Sequence, residues 1–175
     1  MTGETGNDGF DLRSEIVAIL PRLRRFCMAI ARDGDAGDDL CQAAIERALS
    51  RADQFLPGTR LDSWMYRIAQ NIMIDGARRK RTRGVEVEVE DAFGLVGDDG
   101  LRIVEGRSDL TRAQAAMAAL PEDQRALLAL VVLDGMSYKD AAQTLDIPIG
   151  TVMSRLARAR RAIDARVNAP AGAVQ

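Results

Sequence analysis

The sequence predicts an all-α protein of two small helical domains joined by a flexible acidic linker, the second domain a helix-turn-helix. Three observations predict it. Apolar residues make up 47% of the 175 residues but aromatics only 4%, so the core is left to Ala, Leu, Ile, Val and Met, a mix that favours helices. Apolar positions recur at intervals of three and four near both ends of the chain, the period of an amphipathic helix. Acidity is concentrated between those ends. Residues 1–83 carry a net charge of +2 and residues 110–175 a net charge of +2, while residues 84–109 carry −6.

The first domain is expected over residues 10–83. Ile16, Leu20, Leu23, Cys27 and Ile30 define one helix, with a kink or break at Pro21, where an amide donor is missing. Arg32 to Gly37, rich in Gly and Asp, reads as a turn. A second helix begins near Asp38, with Asp38 and Asp39 at its positive N-terminal end, and runs through Cys41, Ile45 and Leu49. A loop over 51–60 contains Phe55-Leu56-Pro57-Gly58. Thr59 and Asp62 have capping-box spacing and open a long helix, with Leu61, Trp64, Met65, Ile68, Ile72 and Asp75 along one side. That helix ends in a basic run, Arg78 to Arg83.

From Gly84 to Asp109 the helical period disappears. Val85, Val87 and Val89 alternate with Glu86, Glu88 and Glu90, and glycines and aspartates follow. A lone strand would have no partner, so the stretch reads as a flexible linker, with a short ordered piece as the alternative. The second domain is expected over residues 110–168. An Ala-rich helix stops at Pro121, and an apolar helix runs from Glu122 to Asp134 and is closed by Gly135. Ser137 and Asp140 repeat the capping-box spacing and open a short helix to Leu145. A tight connection through Pro148 leads to a final helix from about Gly150 to Val167.

Several function classes are excluded or disfavoured. No stretch approaches the roughly 20 apolar residues of a transmembrane helix, and the polar start is no signal peptide, so a cytoplasmic protein is expected. The chain has no histidine, which removes the commonest general base, and no second cysteine pair, which makes a metal site improbable. Cys27 and Cys41 lie on apolar helical faces and read as reduced core thiols. No nucleotide loop or nucleophile–base pair is visible, so neither an enzyme, a cofactor nor a small-molecule substrate is expected.

The sharpest functional signal is the segment from Ser137 to Arg161. A short capped helix, a brief turn and a basic helix form the arrangement in which the second helix enters the major groove. On a helical wheel Val152, Leu156, Ala159 and Ile163 share one side. Thr151, Ser154, Arg158 and Arg161 share another, with Arg155 at its edge. Hydroxyls and guanidiniums so placed suit phosphates and base edges. A second signal is the helix from Leu61, with Trp64 and Tyr66 near its start and cations at its end, a pairing suited to unstacked single-stranded DNA. Trp64 can also be a core residue and the basic run a solvated helix end. The third, Asp38 to Ile45, is by itself an acidic helix start.

In this order the three segments resemble a known family, the RNA polymerase sigma factors of the small extracytoplasmic-function type. Asp38-Asp39-Leu40-Cys41-Gln42 resembles the stretch of sigma region two that opens the helix docking on core polymerase. Phe55 to Ile74, which includes the run Gly58 to Asn71, is similar to the segment that melts and reads the −10 element, and Asn71, Asp75, Arg78 and Arg79 fit its continuation. Leu120-Pro121, Gln124-Arg125 and Gly135 to Ala142 resemble the start of region four, and Ile149 to Arg160 its recognition helix for the −35 element.

The resemblance implies RNA polymerase core, promoter DNA and an anti-sigma factor as partners, with no cofactor. It implies polymerase contacts at Asp38, Asp39, Leu40, Gln42 and Ile45. It implies −10 contacts at Trp64, Arg67, Asn71, Asp75, Arg78 and Arg79, and −35 contacts at Thr151, Ser154, Arg155, Arg158 and Arg161. Beyond this the chain looks like the general-stress-response sigma factors of alphaproteobacteria. It departs from the family in the loop before Trp64, which carries Pro57-Gly58 and few hydrogen-bonding side chains. Two rival readings keep the same helix-turn-helix: a stand-alone operator-binding regulator, and a decoy that sequesters an anti-sigma protein.

Overall fold

The computed structural model describes residues 11–31, 33–82 and 115–167. The expected acidic linker at 84–109, the Val/Glu alternation, Arg83 and the tail from Asn168 lie outside the described residues.

Helix α1 (Leu12–Ile30) is capped by Asp11, whose carboxylate accepts from the Arg13 amide at 3.1 Å. It continues through Pro21, so the expected break does not occur. Buried Ile16 on one side of the proline and Leu23, Phe26, Cys27 and Ile30 on the other hold both halves against the same neighbours, which outweighs one lost backbone bond. Helix α2 (Gly34–Ser50) starts four residues before the expected Asp38. Asp33 is the cap, accepting from the Ala36 amide at 2.7 Å. The Gly and Asp residues that look like a turn are thus a helix start. Gly37 is buried where α2 crosses α1, and a Cβ there would come within 2.9 Å of the Met28 Cα.

After a short 3₁₀ turn (Ala52–Gln54), helix α3 (Leu61–Thr82) completes the first module. Thr59 donates its hydroxyl proton to the Leu56 carbonyl at 2.7 Å, and the Asp62 carboxylate accepts from the Ser63 amide. Helices α1, α2 and α3 pack on one another. Cys27 and Cys41 are buried free thiols, and burial foremost pushes both upward, keeping them protonated and unreactive.

In the second module residues 115–118 are helical and Pro121 precedes α4 (Glu122–Leu128). The regular helix expected to reach Asp134 instead widens into a π turn over Ala129–Leu133, closed by the Asp134 amide on the Ala129 carbonyl at 3.0 Å. Gly135 follows at φ +73°, the left-handed conformation that ends the segment. Ser137 caps α5 (Tyr138–Leu145) as expected, accepting from the Asp140 amide at 3.1 Å and donating to the Asp140 carboxylate at 2.8 Å. Asp146, also left-handed at φ 54°, turns the chain into α6 (Ile149–Val167). Helix α6 packs on α4 and α5.

The two modules also touch. Helix α1 lies against α4 and the π turn, and α3 against α5. The buried apolar side chains form one contiguous cluster drawn from both. Among the described residues no helix is long and apolar enough to cross a membrane.

Candidate nucleic-acid interface

The face of α6 is built from its anchor outward. Val152, Leu156 and Ala159 are buried against α4 and α5, and Ile163 packs against the same cluster. This fixes the helix's rotation about its axis, and the opposite side faces solvent. Ser154, Arg158 and Arg161 are exposed there and Thr151 is half-buried. Arg158 and Arg161 donate through Nε to the Ser154 and Ala157 carbonyls at 3.3 Å, bonds one turn back along their own helix. Arg155 is different. Its guanidinium pairs with Asp123 at the start of α4 at 2.9 Å, so part of its donor capacity is spent bracing α6 against α4.

Helix α3 offers a second row. Trp64, Arg67, Asn71 and Arg78 follow at spacings of three, four and seven, which is one stripe of a helix. Trp64 is half-buried, its ring 5.2 Å from that of Phe55. Asn71, Arg78 and Arg79 are exposed. Asp75 lies 3.9 Å from Arg47 on α2, where it helps hold α2 to α3. Tyr66, grouped with Trp64 as a stacking aromatic on composition alone, belongs to the core. It is fully buried with its ring 4.6 Å from that of Phe26. The reason is angular: it stands two residues from Trp64, on the side of α3 that faces α1.

The acidic segment of α2 divides similarly. Asp38 and Asp39 are exposed. The Asp38 carboxylate accepts from Nε and Nη2 of Arg24, at 2.6 and 3.0 Å, and that pairing holds its carboxyl below the usual range. Gln42 is exposed and donates to Glu46 at 3.0 Å. Ile45 is half-buried. Leu40, 5% exposed, is part of the core. As a docking residue it is corrected: it anchors α2 and leaves contact to its polar neighbours.

Sequence reasoning missed a polar network between the modules. Arg22 of α1 grips Asp134 in a fork, with Nε to Oδ1 and Nη2 to Oδ2 both at 2.8 Å, and reaches Asp62 at 3.1 Å. The Asp134 bond foremost drives the Arg22 guanidinium further up, against the effect of its burial. Arg60 joins Asp62 at 3.0 Å to Asp140 at 3.1 Å. Burial is the largest influence on Asp62 and raises it, but Arg60, the Ser63 amide and Arg22 together outweigh burial and hold the carboxyl below its ordinary value. Arg67 donates to the Gln143 and Thr144 carbonyls at 2.6 and 3.0 Å, and the Thr144 hydroxyl donates to Ser63 Oγ at 2.9 Å. No short-range pattern marks these residues, since Arg22 and Asp134 stand 112 positions apart. Arg125, quoted in the motif at the start of the second module, is 2% exposed and bonds the Ala118 and Leu120 carbonyls, a structural tie.

What such a surface can do is bind polyanions at two places. Among the described residues no group of His, Cys, Asp and Glu is placed to hold a metal ion. Comparison with known proteins narrows the reading. The descriptions "Sigma-70 region 2" and "Sigma-70, region 4" match residues 16–83 and 110–163. The chain is 37% identical to the ECF RNA polymerase sigma factor EcfG of Rhodopseudomonas palustris, over 88% of this chain and 83% of that one. It is 34% identical to the ECF RNA polymerase sigma factor SigC of Mycobacterium tuberculosis, over 93% and 86%. Among solved structures it resembles the sigma factor RpoE of Bartonella quintana, determined in complex with the anti-sigma factor NepR. The TM-score is 0.74 and the identity 28%, over 91% of this chain and 98% of that one.

Proposed function

The chain belongs to the extracytoplasmic-function sigma factors of RNA polymerase, and from that membership we propose how its two modules divide the work. The protein directs RNA polymerase to promoters for transcription initiation. In the division proposed, residues 10–83 grip core polymerase through Asp38, Asp39, Gln42 and Ile45 on α2. They engage the −10 element through Trp64, Arg67, Asn71, Arg78 and Arg79 on α3. Asp75 holds that row in place from the Arg47 side. Residues 110–168 read the −35 element through Thr151, Ser154, Arg158 and Arg161, with Arg155 bracing the helix. Residues 84–109 tether the two.

The observation that carries this reading is the exposed row Ser154, Arg158 and Arg161 on a helix whose opposite side is buried, directly after a capped helix and a left-handed turn. Each module is only weakly basic, with a net charge of +2. Free binding to duplex DNA is therefore weak, and docking on polymerase makes both DNA contacts effectively intramolecular. The protein works without catalysis of its own, in the cytoplasm alongside the polymerase. The NepR complex of the Bartonella quintana relative and the likeness to EcfG support an anti-sigma protein as controlling partner and a general stress response as setting.

In vitro transcription with core polymerase over a promoter library tests the proposal. The wild-type chain should yield transcripts from a defined −10/−35 pair. The change Arg158→Ala with Arg161→Ala should cost about 1–3 kcal/mol for each arginine that reads a base and relax the −35 preference. Unchanged promoter choice would overturn the assignment of α6. Tight operator binding without polymerase would favour the stand-alone regulator.

A further inference from the structure

We infer that Met153 is a specificity-determining residue of α6. With Ile149 and Ala157 beside it, it packs on the C5 methyl of a thymine in the −35 element, next to the polar contacts of Ser154 and Arg158. The inference rests on the assignment of α6 to that element and names a further base that the helix reads.

The apolar side chains share one stripe. Ile149, Met153, Ala157 and Arg160 follow at spacings of four, four and three, which keeps them on one side of α6. The anchors Val152 and Leu156 are at most 1% exposed, whereas Ile149 is 46% and Met153 51% exposed. Ala157 is exposed as well. Single apolar side chains on a surface are ordinary. Here three stand in line on the helix that meets DNA, directly beside the row of Ser154, Arg158 and Arg161. The stripe's cation, Arg160, comes last and donates through Nη2 to the Tyr138 hydroxyl of α5 at 3.2 Å. The first two turns of the stripe are left apolar.

The middle of the outward face is built from small residues, Gly150, Ser154 and Ala157. A Cβ on Gly150 would meet nothing within 4 Å. No neighbour within the protein requires a glycine there, although glycine weakens a helix. So slight a face lets the helix backbone come close to the floor of a groove. The longer side chains at its flanks, Met153 on one side and Arg158 on the other, then reach base edges.

The chemistry of the groove selects the ligand. Base edges in the major groove offer donors, acceptors and one apolar group, the thymine methyl. Methionine has no hydrogen to donate to a phosphate or to guanine. Its unbranched, polarizable thioether adapts to a methyl surface. From Ile149 to Ala157 the helix rises about 12 Å, at 1.5 Å per residue. That is about the width of the major groove, so the whole stripe fits within it.

The test uses the full chain with core polymerase and the promoter selected from the library. Each thymine of the −35 base pairs, on either strand, is replaced in turn by deoxyuridine, which removes the methyl and keeps every hydrogen bond. With the wild-type chain one such template should lose about fourfold in open-complex formation, the scale of one buried methyl group. Met153→Ala should lose a similar factor on the thymine template and nothing further on the deoxyuridine one. Met153→Lys should move the preference at that base pair from thymine to guanine, whose O6 and N7 accept from an ammonium. Each change is at an exposed position, so the fold is kept. Wild-type indifference to every deoxyuridine would overturn the inference. So would a Met153→Ala chain that keeps the full deoxyuridine penalty, or a Met153→Lys chain that still prefers thymine. All three leave the assignment of α6 standing as long as Arg158→Ala with Arg161→Ala relaxes the −35 preference. If that pair also leaves promoter choice unchanged, the assignment itself fails.

Discussion

Helices α3 and α6 carry the same kind of side chain on their outward faces but stand in different states. On α6, Arg158 and Arg161 lie along their own helix, bonded to carbonyls one turn back. Turning outward costs each a weak local bond that water replaces. On α3, Arg67 closes the C-terminus of a helix from the other module, beside an ion-paired cluster of Arg22, Arg60, Asp62, Asp134 and Asp140. Freeing it means separating two surfaces. An arginine's exposure in isolation therefore says little about its availability. The partner that must be surrendered decides, and on that measure the arginines of α6 are open and Arg67 of α3 is held.

The comparison can be broken or sharpened experimentally. The largest effect is expected from Leu156→Ala, which removes the buried anchor of α6. It should destabilise the second module by about 2–5 kcal/mol in chemical denaturation and abolish −35-dependent transcription. A variant as stable as wild type would mean that the α6 face is not fixed by its buried side.

Next comes the contrast within α6. Arg158→Ala should reduce −35-dependent transcription by roughly tenfold, the equivalent of about 1.4 kcal/mol. Arg155→Ala should remove an ion pair worth about 0.2–1 kcal/mol and act mainly on thermal stability. Reversed effects would exchange the reading and bracing roles.

Loss of the α5 cap by Ser137→Ala should cost about 1 kcal/mol in thermal unfolding. Because α5 ends at the carbonyls that hold Arg67, it should also increase amide exchange at the C-terminal end of α5.

The smallest effect concerns acid. Asp62 and Asp140 both have carboxyls held below the ordinary value of 3.8, Asp62 by the groups that outweigh its burial and Asp140 foremost by the Ser137 hydroxyl. Their contribution is complete above that value and disappears as pH falls through the lowered folded values. The inter-module distance should therefore be constant from neutrality down to about pH 4 and increase only below it. Opening between pH 5 and 7 would point to groups other than these carboxylates.

How much of this was legible beforehand depends on the range of the interaction concerned. Periodicity and capping-box spacing placed α3, α5 and α6, because the burial of one face every three to four residues and the cap at a helix start are both written locally. The Ser137 cap and the division of α6 into an aliphatic and an arginine side follow from the same rule. The start of α2 was misplaced because Gly and Asp signal a turn and a helix N-terminus alike. Only the packing of Gly37 onto Met28 distinguishes them. Pro21 was expected to interrupt α1 because local propensity opposes it, yet neighbours on both sides of the proline hold one helix.

By itself, then, the sequence determined the class of fold, the motif that faces duplex DNA and the family to which the chain belongs. Each of those is recorded in short-range spacing and residue type. Only the tertiary structure decided that Tyr66 and Leu40 are core, that Arg155 braces rather than points outward, and that Asp134 closes on Arg22. Those depend on groups brought together from distant parts of the chain, where geometry and desolvation, not order along the backbone, select the partner.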